Sequence, residues 1–164
     1  MNIIVKNNYL YIGEFILKCA IGKGGIKKNK IEGDGSTPRG IFKIGKLFYR
    51  QDRVSRPECL LKTIKIRKNF KWCDDYRSRY YNKLIRSNKK DKFSFENLYR
   101  TDFKYNYIIL IEYNYPKPVK KKGSAIFIHL TKNFKPTLGC IALSKKDLLI
   151  LLKIIKKTTK IKIN

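Results

Sequence analysis

Acidic side chains are scarce in this chain: 12 Asp and Glu stand against 39 Lys and Arg, leaving a formal charge of +27 over 164 residues. Histidine occurs once, at position 129, and the four cysteines (19, 59, 73 and 140) include no Cys-x-x-Cys pair. A structural zinc site draws on closely spaced thiolate and imidazole ligands, so this set argues against one, and no metal or other cofactor is expected. Long apolar runs are missing too. The longest aliphatic stretches, such as Leu148 to Leu152, reach five residues, whereas a membrane-spanning helix needs about 18 or more, so no transmembrane segment is expected. Near the start, Lys6 interrupts Ile3, Ile4 and Val5, and Glu14 breaks the next apolar stretch. That is not the basic region and apolar core of a secretory leader, so a cytoplasmic location stands as a serious alternative to an exported one.

What is present is enough to fold. Hydrophobic residues make up 43% and aromatics 13% of the chain, well above the composition of disordered sequences, and this length suits one domain that buries roughly two thirds of its unfolded surface. No internal repeat or linker marks a second domain, and a monomer spanning 1–164 is expected. The charge invites a nucleic-acid reading through counterion release. Yet Lys, Asn, Ile, Tyr and Phe are all encoded by codons rich in A and T, which accounts for the charge without a polyanion partner. A non-catalytic basic module for nucleic acid or envelope polymers is therefore the minor reading; it requires steep salt dependence.

The pattern is dominated by β-structure. Residues 2–6 and 9–21 read as a hairpin turning on Asn7-Asn8, followed by a glycine-rich loop from Gly22 to Gly40. Strands are expected at 41–44, 62–67, 107–113 and 124–130, the last two apolar on successive residues as in strands buried on both faces. Residues 70–105 show neither period and read as an irregular insert with a helical turn or two. Ser144 and Asp147 form an acidic variant of the capping box ahead of Leu148, Leu151, Leu152 and Ile155, which predicts one amphipathic helix over 145–157. A last strand, 159–163, follows.

The chemistry-bearing residues cluster late. Gly123-Ser-Ala-Ile-Phe-Ile-His129 carries the one imidazole, and eleven residues on comes Thr137-Leu-Gly-Cys140. A thiol becomes a nucleophile when a base or cation favours its thiolate, and histidine suits that task near neutral pH. Gly139 permits a sharp turn that would leave the amides of Leu138, Gly139 and Cys140 pointing at an oxyanion. From residue types alone the bland reading also stands, because free cysteine is among the most buried residue types and a lone histidine is commonly structural. Asp74, Asp75 and Asp102 could be paired carboxylates, but salt bridges to nearby Arg and Lys are the commoner outcome. Cys19 and Cys73 read as packing residues or bystanders; reduced thiols are preferred, with disulfides among Cys19, Cys59 and Cys73 left open. Gly22-Lys-Gly-Gly25 lacks the remainder of a phosphate loop.

The stretch 123–151 resembles the active-site motif of the YkuD-like L,D-transpeptidase family, a histidine on a strand followed by a loop ending in [Ser/Thr]-x-Gly-Cys. Thr37-Pro-Arg-Gly40-Ile-Phe within Gly33–Phe42 is similar to that family's Thr-Pro-x-Gly-x-Phe segment. Trp72-Cys-Asp-Asp75, Tyr81-Asn82 and Arg100-Thr-Asp102 echo it further. The resemblance implies a mainly β fold, a small sandwich or half-open barrel with one C-terminal amphipathic helix. It implies Cys140 as nucleophile, His129 as base, the backbone of Leu138, Gly139 and Cys140 as oxyanion hole, the Leu130 carbonyl as orienter of the imidazole, and Tyr81, Arg100 and Asp102 as candidate substrate contacts. The implied substrate is a peptidoglycan stem tetrapeptide or muropeptide, attacked between a diamino acid and a terminal D-alanine and passed to an amine, or to water in a carboxypeptidase. The implied setting is the cell envelope. Two departures stand out: Leu138 occupies a position where many members have a second histidine, and Ala142 one where many have an arginine.

Overall fold

The computed structural model describes residues 2–87 and 92–164. Its strands and helix run β1 (Ile3–Lys6), β2 (Tyr9–Ile12), β3 (Phe15–Ala20), β4 (Ile26–Lys27), β5 (Thr37–Pro38), β6 (Gly40–Tyr49), β7 (Thr63–Lys65), β8 (Phe70–Cys73), β9 (Leu84–Arg86), β10 (Phe95–Asn97), β11 (Tyr107–Ile111), β12 (Phe127–Leu130), β13 (Ile141–Leu143), α1 (Lys145–Ile154) and β14 (Lys160–Ile163). The main sheet has the order β11-β12-β13-β3-β2-β1-β14-β6-β7, and β6 also pairs with β11, so eight strands close into a barrel with β7 hanging from β6.

Closure depends on the length of β6. Its first half pairs with β14 through Ile41↔Lys162 and Phe42↔Ile161, and its second half pairs with β11 through Phe48↔Ile108 and Tyr49↔Tyr107. A strand ending at residue 44, as expected from the sequence, would reach only one of these partners. Lys46 hides the continuation, because it breaks the apolar run inside a strand that is still hydrogen-bonded.

The expected Asn7-Asn8 turn is present, with φ of 51° and 61° at the two asparagines, the mirror-image turn that suits hairpins. The second arm is two strands rather than one. Gly13 at φ 56° folds β2 back onto β3, with Leu10 facing Leu17.

Side-chain alternation divides the core in two. Inward residues such as Ile3, Leu10, Ile109, Ile128 and Ile141 form one cluster with Leu148, Leu151 and Leu152 of α1. Outward residues Phe48, Ile108, Leu110 and Phe127 form a second with Phe70, Trp72 and Leu98 of the insert. Thus β11 and β12 are buried on both faces, as their continuous apolar sequence implied. The insert itself corrects the expectation of an irregular segment: it holds a three-stranded sheet, β10-β8-β9, with hydrogen-bonded turns between 75 and 83 and no helix among its described residues. Lys71 obscured this, since a charged residue in Phe-Lys-Trp-Cys spoils both periodicities, yet its ammonium lies 4.1 Å from the Phe95 ring and its stem is buried.

Helix α1 begins as read, with the Asp147 amide donating to Ser144 Oγ at 3.1 Å and Ser144 Oγ donating to Asp147 Oδ2 at 2.7 Å. It ends at Ile154 because Ile155 turns extended into the core and the Lys156 amide is taken by Thr159 Oγ1. A ten-residue helix is marginal by itself, so its buried leucines hold it in place. Leu151→Ala should lower unfolding stability by about 3 kcal/mol, with Lys153→Ala within about 0.5 kcal/mol of the parent. Denaturant titration of both variants checks this.

Candidate active site

The site follows from one register. β12 and β13 run parallel with His129 opposite Ala142 and Ile128 opposite Ile141. Alternation then puts His129, Ala142 and Cys140 on the same outward face, toward the insert, while Ile128, Leu130, Ile141 and Leu143 point into the barrel. Cys140 stands one pleat from Ala142, so thiol and imidazole are diagonal neighbours on adjacent strands. Both line a groove of about 790 Å³, bounded by the glycine-rich loop, the insert, and the loop from Thr131 to Leu138.

The thiol is 8% exposed and donates to the Ala125 carbonyl at 3.2 Å, while the Phe127 amide donates to Sγ at 3.4 Å. Burial, joined by the negative charge of Glu96, pushes its pKa up to about 12. Imidazole Nδ1 bonds the Leu130 carbonyl at 2.8 Å. A carbonyl can only accept, so Nδ1 carries the proton and Nε2 the lone pair. Burial pushes His129 down to about 4; the Leu130 bond opposes this, and the positive charges of Lys104 and Arg100 add to it. The Tyr105 ring packs edge-on to the imidazole at 5.2 Å between centroids. The resting pair is therefore a neutral thiol and a neutral imidazole, not the preformed thiolate.

The turn before Cys140 is fixed from both sides. Thr137 Oγ1 donates to the Cys140 carbonyl at 2.6 Å and accepts from the Gly139 amide at 3.1 Å. The Thr137 backbone bridges to the glycine-rich loop, through its amide to Ile21 and from the Lys23 amide to its carbonyl. Gly139 has φ 139°, and a Cβ there would come within 2.8 Å of the Ser36 carbonyl oxygen. Of the three amides expected at an oxyanion hole, that of Gly139 is thus engaged internally, while none of the loop hydrogen bonds among the described residues uses those of Leu138 or Cys140. Leu138 itself is 77% exposed at the groove rim.

The Gly33–Ser36 turn is built on Asp34, which accepts from Ser36 N, Ser36 Oγ, Ile31 N and, at 2.7 Å, Lys30 Nζ. Although burial opposes it, these donors hold the Asp34 carboxyl well below the usual carboxylate range. Lys30 is buried and lines the groove, a residue that sequence reasoning missed; its place just ahead of the glycine motif was the available signal.

The other expected contacts separate. Arg100 lines the groove, ion-paired to Asp102 at 2.6 Å and set over the Tyr105 ring. Asp102 serves this pair and accepts from the Lys104 amide. Tyr81 is buried, donating to Glu32 and accepting from the Gly123 amide, so it fastens the approach to β12. Its neighbour Asn82 was not singled out by role, yet it spends all its amide valences. It accepts from Trp72 Nε1 and Ala125 N at 2.9 and 3.0 Å and donates to the Tyr113 and Asn114 carbonyls. That bond holds Ala125 at φ 53°, which shortens β12 to start at Phe127 and aims the Ala125 carbonyl at the thiol. Asp75 pairs with Arg77 at 3.1 Å. All four cysteines are free thiols, and burial pushes Cys19 up to about 12 and raises Cys73. Among the described residues no cluster of three His, Cys, Asp or Glu could hold a metal, and no helix is long and apolar enough to cross a membrane.

A thiol and an imidazole on neighbouring strands of a closed β-barrel, with a glycine turn beneath the thiol, define a cysteine–histidine site. The family model for the YkuD L,D-transpeptidase catalytic domain matches residues 3–163, and the chain belongs to that family. Comparisons with curated proteins and with solved structures return no match.

Two outcomes follow. In the ligand-free protein the alkylation rate at Cys140 by iodoacetamide, followed by mass spectrometry of its peptide, should climb without a plateau through pH 10. A plateau near pH 6 to 7 would reveal a thiolate–imidazolium pair. Asn82→Ala leaves the Trp72 and Ala125 donors unpaired and should cost about 2 kcal/mol or more, read from thermal or urea unfolding.

Proposed function

We propose that this protein is a cysteine acyltransferase of peptidoglycan stem peptides, with Cys140 as nucleophile and His129 as general base. The observation that carries the reading is that the chain's one imidazole and Cys140 share a face of adjacent strands and line the same groove within an L,D-transpeptidase domain. The Leu130 bond presents Nε2 as acceptor, and the low basicity of a buried imidazole keeps it unprotonated at neutral pH.

In the first step Sγ leaves its bond to Ala125, gives its proton to Nε2 and attacks the carbonyl between the diamino acid and the terminal D-alanine. Because the thiol is held neutral, proton transfer accompanies attack rather than preceding it. The amides of Cys140 and Leu138 meet the oxyanion. Nε2 returns the proton to the departing D-alanine amine, leaving a thioester on Cys140. An amine from a second stem then loses its proton to Nε2 and attacks the thioester; the C–S bond breaks, Sγ recovers the proton from Nε2, and the new amide is the cross-link.

Ala142 replaces the arginine found in many members. The groove supplies cations from elsewhere, with Lys132 and Lys135 exposed at its rim and Lys104 half-buried beside His129. These suit a terminal carboxylate. Action on wall peptides sets the work at the cell envelope, which fractionation with an antibody tests.

Incubation with a stem tetrapeptide should release D-alanine and give a cross-linked dimer when an acceptor amine is present. Tripeptide alone, whatever the acceptor, would make the enzyme an L,D-carboxypeptidase. Cys140→Ser and His129→Ala should each lower turnover by at least about 10³-fold. Retention of full turnover by either variant, measured by D-alanine release, sinks the assignment. The kcat/KM of the parent should fall below about pH 4, where His129 takes up a proton.

A further inference from the structure

We propose that Asp74, Glu96 and Ser124 form a subsite beside the thiol that receives a positively charged ammonium group of the substrate. The inference rests on the acyl-transfer reading above and adds to it which chemical group the insert selects. The three residues come from separate elements: Asp74 follows β8, Glu96 lies in β10, and Ser124 precedes β12. All line the groove that holds Cys140.

In a protein of net charge +27, the groove still carries Glu32, Asp74 and Glu96 among Lys30, Arg100, Lys104, Lys132 and Lys135, a larger acidic share than in the chain as a whole. Its buried cation Lys30 is already paired with Asp34, and Arg100 with Asp102. Glu96 takes the Tyr105 hydroxyl, a neutral donor, on one carboxylate oxygen, and the cation whose charge reaches it, Arg100, is itself ion-paired to Asp102.

The polar groups are also short of partners. Asp74 Oδ1 is buried with no hydrogen-bond donor, and so is the hydroxyl of Ser124, which is 7% exposed. The Tyr81 hydroxyl lies near enough for Ser124 to influence it, but its hydrogen bonds are to Glu32 and Gly123. Buried acceptors without donors are costly, and native proteins retain them where something else binds. An ammonium offers three donors and no acceptor. Asp74 Oδ1, the Glu96 carboxylate and Ser124 Oγ offer three acceptors to one groove. The side-chain amine of a diamino acid is such a group, and it belongs to the residue whose carbonyl Cys140 attacks.

Occupancy would act on the thiol as well. The negative charge of Glu96 opposes thiolate formation at Cys140. A bound ammonium offsets that charge, so the correct peptide lowers the barrier to its own acylation while a peptide lacking the amine meets the full opposition.

Two stem tetrapeptides that differ only in whether the side-chain amine of the diamino acid is free or acetylated test this, with kcat/KM for D-alanine release as the readout. The parent enzyme should favour the free amine by about tenfold to a hundredfold, the range of hydrogen bonds to a charged group. The double variant Asp74→Asn, Glu96→Gln should bring that preference close to parity, losing far more on the free peptide than on the acetylated one. Equal use of both peptides by the parent overturns the subsite and leaves acyl transfer standing, and this comparison needs no variant to fold. An equal loss on both peptides in a double variant with a normal melting transition overturns it as well. If the parent turns over neither peptide, and calorimetry with Cys140→Ala detects binding of neither, the acyl-transfer reading itself falls and takes the subsite with it.

Discussion

The parallel pairing of β12 with β13 is the constraint from which the site follows. A side-chain period of two means that a slip of one residue would turn Cys140 into the barrel and bring Ile141 out beside the imidazole. The register is held because both strands bury both faces: Ile128 and Ile141 point into the barrel cluster, and Phe127 packs edge-on against Trp72 at 5.2 Å. A strand buried on one face only would tolerate more error. Here a slip would expose isoleucine to the groove and carry histidine into an aliphatic core, two penalties of several kcal/mol each.

Holding the thiol in place has an electrostatic cost. The same burial that orients Cys140 removes the water that would stabilise its charge, and Glu96 adds to the opposition. His129 is affected in the opposite sense, its charged form disfavoured by burial and by Lys104 and Arg100. Both groups therefore rest neutral, which protects the Cys140 thiol from adventitious oxidation and alkylation, because the thiolate is the reactive form.

Much of this was legible from residue types and order. The Asn7-Asn8 turn, the Ser144 cap and the doubly buried β11 and β12 all rest on interactions between residues close in sequence or on a clean pattern. The failures share a cause. Lys46 and Lys71 are charged residues inside strands; Lys46 is half-buried, and Lys71 packs against Phe95, far along the chain. The insert could not be read as a sheet because β8 pairs with β9 and β10 across loops that carry no periodic signal. Asn82 and Lys30 were invisible as site builders for a related reason. A buried asparagine's value lies in the four partners it joins, and those lie at 72, 113, 114 and 125.

The insert thus does two things that its composition concealed. Through Trp72, Phe70 and Leu98 it covers the outer face of β11 and β12, turning what would be a solvent-facing strand pair into the floor of a groove. Through Asn82 and Tyr81 it takes hold of the segment Gly123–Ala125 and bends it, at φ 102° and 53° for Gly123 and Ala125, so that a carbonyl meets the thiol. The aromatic packing supplies free energy and the hydrogen bonds supply direction. Because both come from the same insert, the wall that shapes the groove is also the part that sets the position of Cys140.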